Sequence, residues 1–228
     1  MQITKLSTHD SLEFIYYKIS YSMHELLPTI ERAKDILHVL NSKNPAGLYR
    51  TTDEKYMKNL GGLIAEKMVN DLLDMNISPL IKITQSQMAE LNSGDFQVDH
   101  TLEFDNNQYC IETRSSFAYK TWSPETVITR AFSIIGPYQT GYKQGEKVKD
   151  FYAFAFYFLD PGKIQYQIEK NDLKIFFAGG ATKEMMTDDK VSKYSNLRSG
   201  KAQYRIIYPI TKGLDADKFF YEINLICR

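Results

Sequence analysis

The stretch SGDFQVDHTLEFDNNQYCIETRSS, residues 93–116, contains two runs of alternating apolar and polar side chains with a polar turn between them. Such alternation predicts two β-strands, over residues 96–104 and 108–115. The sequence DNN at 105–107 favours a hairpin turn, because Asn and Asp tolerate left-handed backbone angles. Each predicted strand also contains a carboxylate, Asp99 in the first and Glu112 in the second.

Pairing of these two strands would bring the carboxylates together. Side chains alternate along a strand, so Glu112 and Arg114 share one face of the second strand. In the first strand, Asp99 lies on the face opposite Val98 and His100. We therefore expect Asp99 and Glu112 to converge at one point when the strands pair across the turn.

An upstream helix offers a third acid. A helix is predicted over residues 53–73, with Glu66 two residues beyond Ile64 of its apolar stripe. Carboxylates that converge repel each other and raise one another's pKa unless a cation lies between them. Mg²⁺ favours one or two protein carboxylates together with water and phosphate oxygens. The pattern therefore suits metal-assisted phosphodiester hydrolysis, with Mg²⁺ as the cofactor and Mn²⁺ as a substitute.

The rest of the chain indicates a mixed architecture. Helical spacing over residues 10–42 predicts two helices separated at Pro28. Ser123 and Pro124 predict the N-cap and first position of another helix. The run DFYAFAFYFLD, 150–160, is typical of a strand buried on both faces. Further strands are predicted near 163–169, 173–178 and 203–210, and a last helix from about residue 215.

These elements predict a single α/β (α+β) domain over residues 1–228, with a mixed central sheet flanked by helices and an N-terminal helical extension. We divide it into N-terminal helices (1–52), the expected catalytic core (53–160) and C-terminal strands with a helix (161–228). The chain has 28 Lys and Arg and 28 Asp and Glu residues, hence zero formal net charge. Any binding of nucleic acid must therefore come from local patches.

Composition also bears on the compartment. The only cysteines are Cys110 and Cys227, which are typical of reduced thiols rather than a disulfide framework or zinc site. No segment resembles a signal peptide or approaches the ~20 apolar residues of a membrane helix. We expect a soluble cytoplasmic protein with no membrane partner.

The acids and the order of the elements resemble the PD-(D/E)xK nuclease superfamily, the restriction-endonuclease-like fold. Its motif, an Asp on one hairpin strand followed by an acid, any residue and Lys on the next, aligns with Asp99 and with Glu112-Thr113-Arg114. The helix acid common in the superfamily corresponds to Glu66. The resemblance covers roughly residues 55–160, and IFFAGGATKEMM with AQYRIIYPI resembles the tail of some phage-type members. It implies a Mg²⁺-dependent DNA endonuclease in which Asp99 and Glu112 hold the metal and Glu66 assists.

The chain departs from the superfamily motif at one position. Arg114 stands where the motif has Lys, and a guanidinium remains protonated, so it cannot act as a general base. It can still orient a phosphate or the attacking water. Lys120 would supply an amine if the following loop folds back.

Two clusters of basic residues are candidate DNA contacts. Lys120, Arg130 and Lys143 follow the hairpin, among aromatic residues that offer stacking surfaces. A second cluster, KVSKYSNLRSGKAQYR at 190–205, includes Lys193, Arg198 and Lys201 and suggests a DNA-facing loop. An ordinary solvated surface accounts for each single residue equally well.

Two other motifs favour structural roles. His100 has no partner at metal-ligand spacing and is interpreted as a residue facing the hydrophobic side or the sheet edge. Gly179 and Gly180 lack the full phosphate-loop pattern, so they are interpreted as turn geometry before a helix capped by Thr182.

The sequence thus leaves three hypotheses: an active nuclease, an inactive DNA-binding or assembly module of the same fold, and an unrelated α/β ligand-binding domain. A homodimer is expected for an enzyme that cuts both DNA strands, because two-fold symmetry matches two antiparallel strands. Residues 10–42 are the expected interface.

Overall fold

Two β-sheets organise the chain. The computed structural model describes residues 1–8, 13–38, 49–85, 98–118, 122–140, 146–196 and 202–227. Its strands are β1 (Gln2–Ser7), β2 (Ile15–Ser20), β3 (Lys82–Gln85), β4 (His100–Phe104), β5 (Asn107–Phe117), β6 (Ile134–Tyr138), β7 (Phe151–Tyr157), β8 (Lys174–Thr182), β9 (Lys193–Asn196) and β10 (Gln203–Ile207). A seven-stranded mixed sheet has the order β1-β2-β8-β7-β5-β4-β3, and a smaller sheet has the order β6-β10-β9. The predicted α/β class is confirmed.

Helices cover both faces of the central sheet. They are α1 (Met23–Asp35), α2 (Thr52–Asn76), α3 (Pro124–Thr126), α4 (Ile164–Glu169), α5 (Lys183–Thr187) and α6 (Ala216–Ile226). Side chains of α1, α2, α4 and α6 share one buried apolar cluster with the sheet. The small sheet and α5 contribute to a second cluster on the opposite face. The central sheet is therefore the middle of three layers.

The predicted hairpin is confirmed, but β4 begins at His100: of the predicted strand 96–104, residues 96 and 97 lie outside the described residues, and 98 and 99 precede β4. Strands β4 and β5 pair antiparallel, with His100 opposite Ile111 and Phe104 opposite Asn107. Asp105 and Asn106 form the turn with positive φ angles of 47° and 63°, the left-handed region that these residue types tolerate. The register is therefore set by turn chemistry that is visible in the sequence.

The central position of strand β7 explains why its sequence is an uninterrupted apolar run. It pairs parallel with β5 and antiparallel with β8, and all of its residues are buried. Ala153 and Tyr157 belong to the cluster on the helical face, whereas Tyr152 and Phe154 belong to the other. A strand buried on both faces has no polar side to alternate with, as predicted.

The prediction of two N-terminal helices separated at Pro28 is wrong. Within the part of 10–42 that the structure describes, residues 15–20 form β2, and Pro28 lies inside the single helix α1. Strand β2 lies between β1 and β8 and is buried on both faces, so its short apolar run mimics helical spacing. The described part of residues 1–52 is thus not a purely helical extension, because β1 and β2 belong to the central sheet.

The C-terminal part contains a second error. Residues 163–169 were predicted as a strand but form α4 and the short 3-10 turn before it. Ile164 and Ile168 are four residues apart and both buried, which is helical spacing. Strands near 173–178 and 203–210 are confirmed as β8 and β10, and the last helix as α6. The prediction did not include β6 and β9.

The glycine pair has a packing role. Gly179 has φ +81°, and a Cβ there would lie 2.1 Å from the Leu214 carbonyl oxygen. A Cβ on Gly180 would lie 2.0 Å from the Tyr152 carbonyl oxygen. Both glycines lie inside β8, so the interpretation as turn geometry is wrong, and the pair instead allows close approach of backbones near the end of the strand. Thr182 then caps α5, as predicted.

Both cysteines are free thiols, as expected. Among the described helices, none is long and apolar enough to cross a membrane.

Candidate active site

Asp99 and Glu112 meet at the open end of the hairpin. Asp99 directly precedes β4, one position before the His100–Ile111 pair, which sets it beside Glu112 of β5. Both residues are buried, with exposed fractions of 6% and 4%. The Thr113 backbone N–H donates to Asp99 Oδ2 at 2.6 Å, which fixes the orientation of that carboxylate. The convergence predicted from the sequence is therefore present.

Glu66 is the third acid near this point. The apolar stripe of α2, including Leu63 and Met68, packs on the sheet and leaves the Glu66 side chain 13% exposed. Arg32 of α1 lies 3.9 Å from Glu66, measured from Nη1 to Oε2. An ion pair between α1 and α2 thus accompanies this carboxylate.

The electrostatics of Asp99 reflect this crowding. Burial raises the pKa of Asp99 well above its usual range, and the charges of Glu112 and Glu66 raise it further. The Thr113 hydrogen bond and the positive charge of Arg114 act in the opposite direction without cancelling the effect. The site therefore favours either a proton or a cation at Asp99.

Arg114 lies between two buried carboxylates. Its Nη2 is 3.0 Å from Glu112 Oε1 and 2.7 Å from Glu146 Oε1. Burial alone would lower the pKa of Arg114, but Glu112 and Glu146 outweigh burial and raise it above its ordinary value. Arg114 is thus permanently charged, which agrees with the argument that it cannot be a general base. Its buried Nε has no acceptor among the described residues.

Glu146 is a site residue that sequence reasoning missed. It is 5% exposed, and its Oε2 accepts a hydrogen bond from the Tyr138 backbone N–H at 3.0 Å. The Tyr138 ring centroid in turn lies 5.6 Å from the Arg114 guanidinium carbon. Glu146 is 32 residues from Arg114 in sequence, so no local pattern could have indicated this pair.

His100 is fully buried, on the hydrophobic side as predicted. Burial lowers its pKa to about 4, with a smaller contribution from Arg32. A neutral imidazole on the far face from Glu112 is not arranged as a ligand beside Asp99. Within the described ranges, no group of three or more His, Cys, Asp or Glu residues is arranged to hold a metal ion.

The predicted DNA contacts are only partly within the described residues. Arg130 and Lys193 are exposed. Lys120, Lys143, Arg198 and Lys201 lie outside the described residues. Arg205, part of the second basic cluster, is 8% exposed and pairs with Asp189 at 2.6 Å. It is therefore a structural cation rather than a surface contact.

Comparisons with known proteins found an archaeal relative that is similar over most of this chain. The uncharacterized protein MJECS01 of Methanocaldococcus jannaschii is 29% identical over an alignment 232 residues long, which covers 89% of this chain and 83% of that protein. No protein-family model matches the chain. No solved structure matches it either. The similarity therefore covers nearly the whole chain, but the name of the relative indicates no activity.

Proposed function

We propose that this chain is a Mg²⁺-dependent endonuclease of the PD-(D/E)xK type that hydrolyses phosphodiester bonds in DNA, of the restriction or phage kind. The observation that carries the proposal is the burial of Asp99 beside Glu112 at the end of a hairpin, with Glu66 raising the pKa of Asp99 from α2. Apart from β6 of the small sheet, which comes between α3 and β7, the order α2, β3, β4, β5, α3 and β7 resembles the superfamily core, with β7 parallel to β5.

The donor set fits a small hard cation. Carboxylate oxygens are the ligands that Mg²⁺ prefers, and it needs only one or two of them. Asp99 and Glu112 would hold the ion, and Glu66 would assist directly or through water. Bound Mg²⁺ would lower the pKa of a coordinated water and offset charge on the scissile phosphate. A cation at this position would also relieve the repulsion that raises the pKa of Asp99.

The protein's own groups would orient the substrate. The Thr113 N–H holds Asp99 in place, and Glu146 holds Arg114 through the same Nη2 atom that contacts Glu112. The Arg114 side chain keeps 14% of its surface exposed beside Glu112, and a phosphate oxygen would contact the guanidinium there. The guanidinium stabilises charge but moves no proton.

Cleavage by Asp99→Asn tests the proposal. Asp150→Asn is the matched control, because Asp150 also accepts a backbone N–H of β5, from Cys110 at 2.8 Å, but is not among the charges that shift the pKa of Asp99. We expect Asp99→Asn to cut more than about a hundredfold more slowly, beyond the loss typical of a residue that only supports a metal ligand. Asp150→Asn should cut like the wild type.

The assay uses plasmid, linear and single-stranded DNA with Mg²⁺, Mn²⁺ or EDTA. Glu112→Gln should match Asp99→Asn, and thermal midpoints should show that both variants fold. Undiminished cutting by Asp99→Asn and Glu112→Gln would refute the assignment of the site.

One observation favours a second candidate, a catalytically inactive DNA-binding or assembly module. Arg114 pairs with Glu112 and Glu146 at once, so a positive charge already occupies part of the space beside the acids. Such a module would bind DNA in a salt-dependent way and leave it intact in either metal.

A further inference from the structure

The outer face of the small sheet carries aromatic rings. Ile134 and Ile207 point from this sheet into the buried cluster on the central sheet. Tyr138 and Tyr204 are register partners on the opposite face, with ring centroids 5.3 Å apart. Lys193, the register partner of Ile206, lies on that same outer face.

A second ring lies farther along this face. Lys193 Nζ is 5.4 Å from the ring centroid of Tyr208, which is 39% exposed. Tyr204 lies in β10 and Tyr208 directly after it, so their Cα atoms are at most about 13 Å apart, the length of four extended residues. That span is roughly four times the rise of one nucleotide in a strand, about 3.4 Å. The two rings therefore offer separate positions for two bases.

This face is continuous with the acid cluster. The Tyr138 ring lies beside the guanidinium of Arg114, and the Tyr138 N–H donates to Glu146, which pairs with the same guanidinium. The Tyr204 ring in turn packs against the Tyr138 ring. A strand lying on Tyr204 would thus be separated from Arg114 by one ring, that of Tyr138.

The charges of the small sheet suit a polyanion. The sequences of β6, β9 and β10, IIGPY, KYSN and QYRII, contain no acidic residue. Lys193 is exposed on the outer face, whereas Arg205 is neutralised by Asp189. Tyr208 is exposed, Tyr204 is half-buried and Tyr138 is buried. Accessible rings beside a lysine are the usual components of a surface on which bases stack while the backbone contacts cations.

We infer that this outer face, defined by Tyr204, Tyr208 and Lys193, binds a single-stranded segment of the DNA substrate next to the cleavage site. In a duplex both faces of each base are stacked on neighbours, so tyrosine rings can stack only on unpaired bases. The inference rests on the proposed function for the identity of the polyanion. It adds that the substrate is single-stranded, or unpaired, where it meets the enzyme.

Binding measured in EDTA tests the face without requiring cleavage. Fluorescence anisotropy with a mixed-sequence single-stranded oligodeoxynucleotide should show Tyr204→Ala binding roughly five- to hundredfold more weakly, the usual loss for one stacked base. Tyr204→Phe keeps the ring and should bind like the wild type. A blunt duplex should bind more weakly than the single strand and should not distinguish the variants.

The matched control is on another element. Tyr166 of α4 is 57% exposed with Lys170 Nζ 5.7 Å from its ring, a pair like Tyr208 and Lys193 but on the opposite face of the central sheet. Tyr166→Ala should leave binding unchanged. Lys193→Gln should reduce the salt dependence of binding by about 0.7 in log–log slope, whereas Lys170→Gln should not.

The outcomes separate this inference from the proposed function. If Tyr204→Ala, with an unchanged thermal midpoint, binds single strands like the wild type while Asp99→Asn loses cleavage, the face is wrongly assigned and the nuclease stands. If no variant cuts but Tyr204→Ala still loses binding, the face stands in a non-catalytic module. Equal binding of duplex and single strand would overturn the inference. A preference for single-stranded RNA over DNA would overturn the assignment of DNA as the bound strand.

Discussion

Arg114 is the residue at which the site differs most from the motif it resembles. The sequence alone places it on a strand beside Glu112, where an exposed ion pair is the simplest alternative to a catalytic role. The structure buries it, with its side chain 14% exposed between Glu112 and Glu146. Removing a buried cation shared by two carboxylates costs more than removing one partner of a surface pair, because both buried carboxylates lose the positive charge between them.

Replacing Arg114 should therefore affect stability as well as cleavage. We expect Arg114→Ala to lower the free energy of unfolding by about 3–5 kcal/mol, the usual cost of breaking a buried pair. Arg114→Lys keeps the charge and should lose less while retaining cleavage. Chemical denaturation and a DNA cleavage assay on both variants measure these effects.

The double variant Arg114→Ala/Glu146→Gln is the control for this interpretation. It removes the negative charge of one of the two carboxylates that lose Arg114, so it should be more stable than Arg114→Ala alone. If Arg114→Ala cuts DNA as well as the wild type, the arginine has no part in orienting the substrate.

Helix α2 carries Glu66 to the site, and two adjacent glycines show how closely the helix packs on the sheet. A Cβ on Gly61 would lie 2.5 Å from the tip of the Phe117 ring, whereas a Cβ on Gly62 would meet nothing within 4 Å. Phe117 is itself stacked on Tyr157 at 4.8 Å, so its ring has little freedom to move. The Tyr157 hydroxyl also donates to the Gly61 carbonyl at 2.7 Å.

The two glycines should respond oppositely to alanine. Gly62→Ala should raise the free energy of unfolding by about 0.4–1 kcal/mol, because alanine loses less backbone entropy in a helix. Gly61→Ala gains the same entropy but overpacks the contact with the sheet, at a cost of about 1–3 kcal/mol. Urea denaturation of the two variants gives the comparison, and equal stabilisation by both would show that α2 is packed more loosely than described.

On the scale of the whole molecule, the site is assembled from segments far apart in the chain. Glu66 comes from α2, Asp99 and Glu112 from the hairpin, and Glu146 from the segment before β7. The unfolded chain cannot hold these carboxylates together, so a cation bound by them would bind only the folded state.

Binding of a cation should therefore stabilise the entire fold. We expect Mg²⁺ or Mn²⁺ to raise the thermal midpoint of the wild type, equivalent to about 2.7 kcal/mol at a hundredfold excess over Kd. Asp99→Asn should show a much smaller increase, and Asp150→Asn should behave like the wild type. Differential scanning fluorimetry with and without EDTA makes the measurement, and identical shifts in all three proteins would indicate cation binding elsewhere.

The local features were predictable from sequence because their causes are local. Alternation along 96–104 and 108–115 and the residues that turn at Asp105 and Asn106 predicted the hairpin and its register, and the register alone brings Asp99 to Glu112. The caps of short helices, such as Ser123 before α3, likewise depend on a few adjacent residues.

Only the tertiary structure decided the features that depend on distant neighbours. Residues 15–20 form a strand because β1 and β8 lie on either side of them, and burial on both faces removes the alternation that would identify it. Residues 163–169 form a helix whose two buried isoleucines pack on the sheet. The environment of Arg114 depends on Glu146, which precedes β7 and reaches Arg114 because β7 pairs with β5. Pairing of buried charges is set by which segments share a space, and one stretch of sequence does not contain that information.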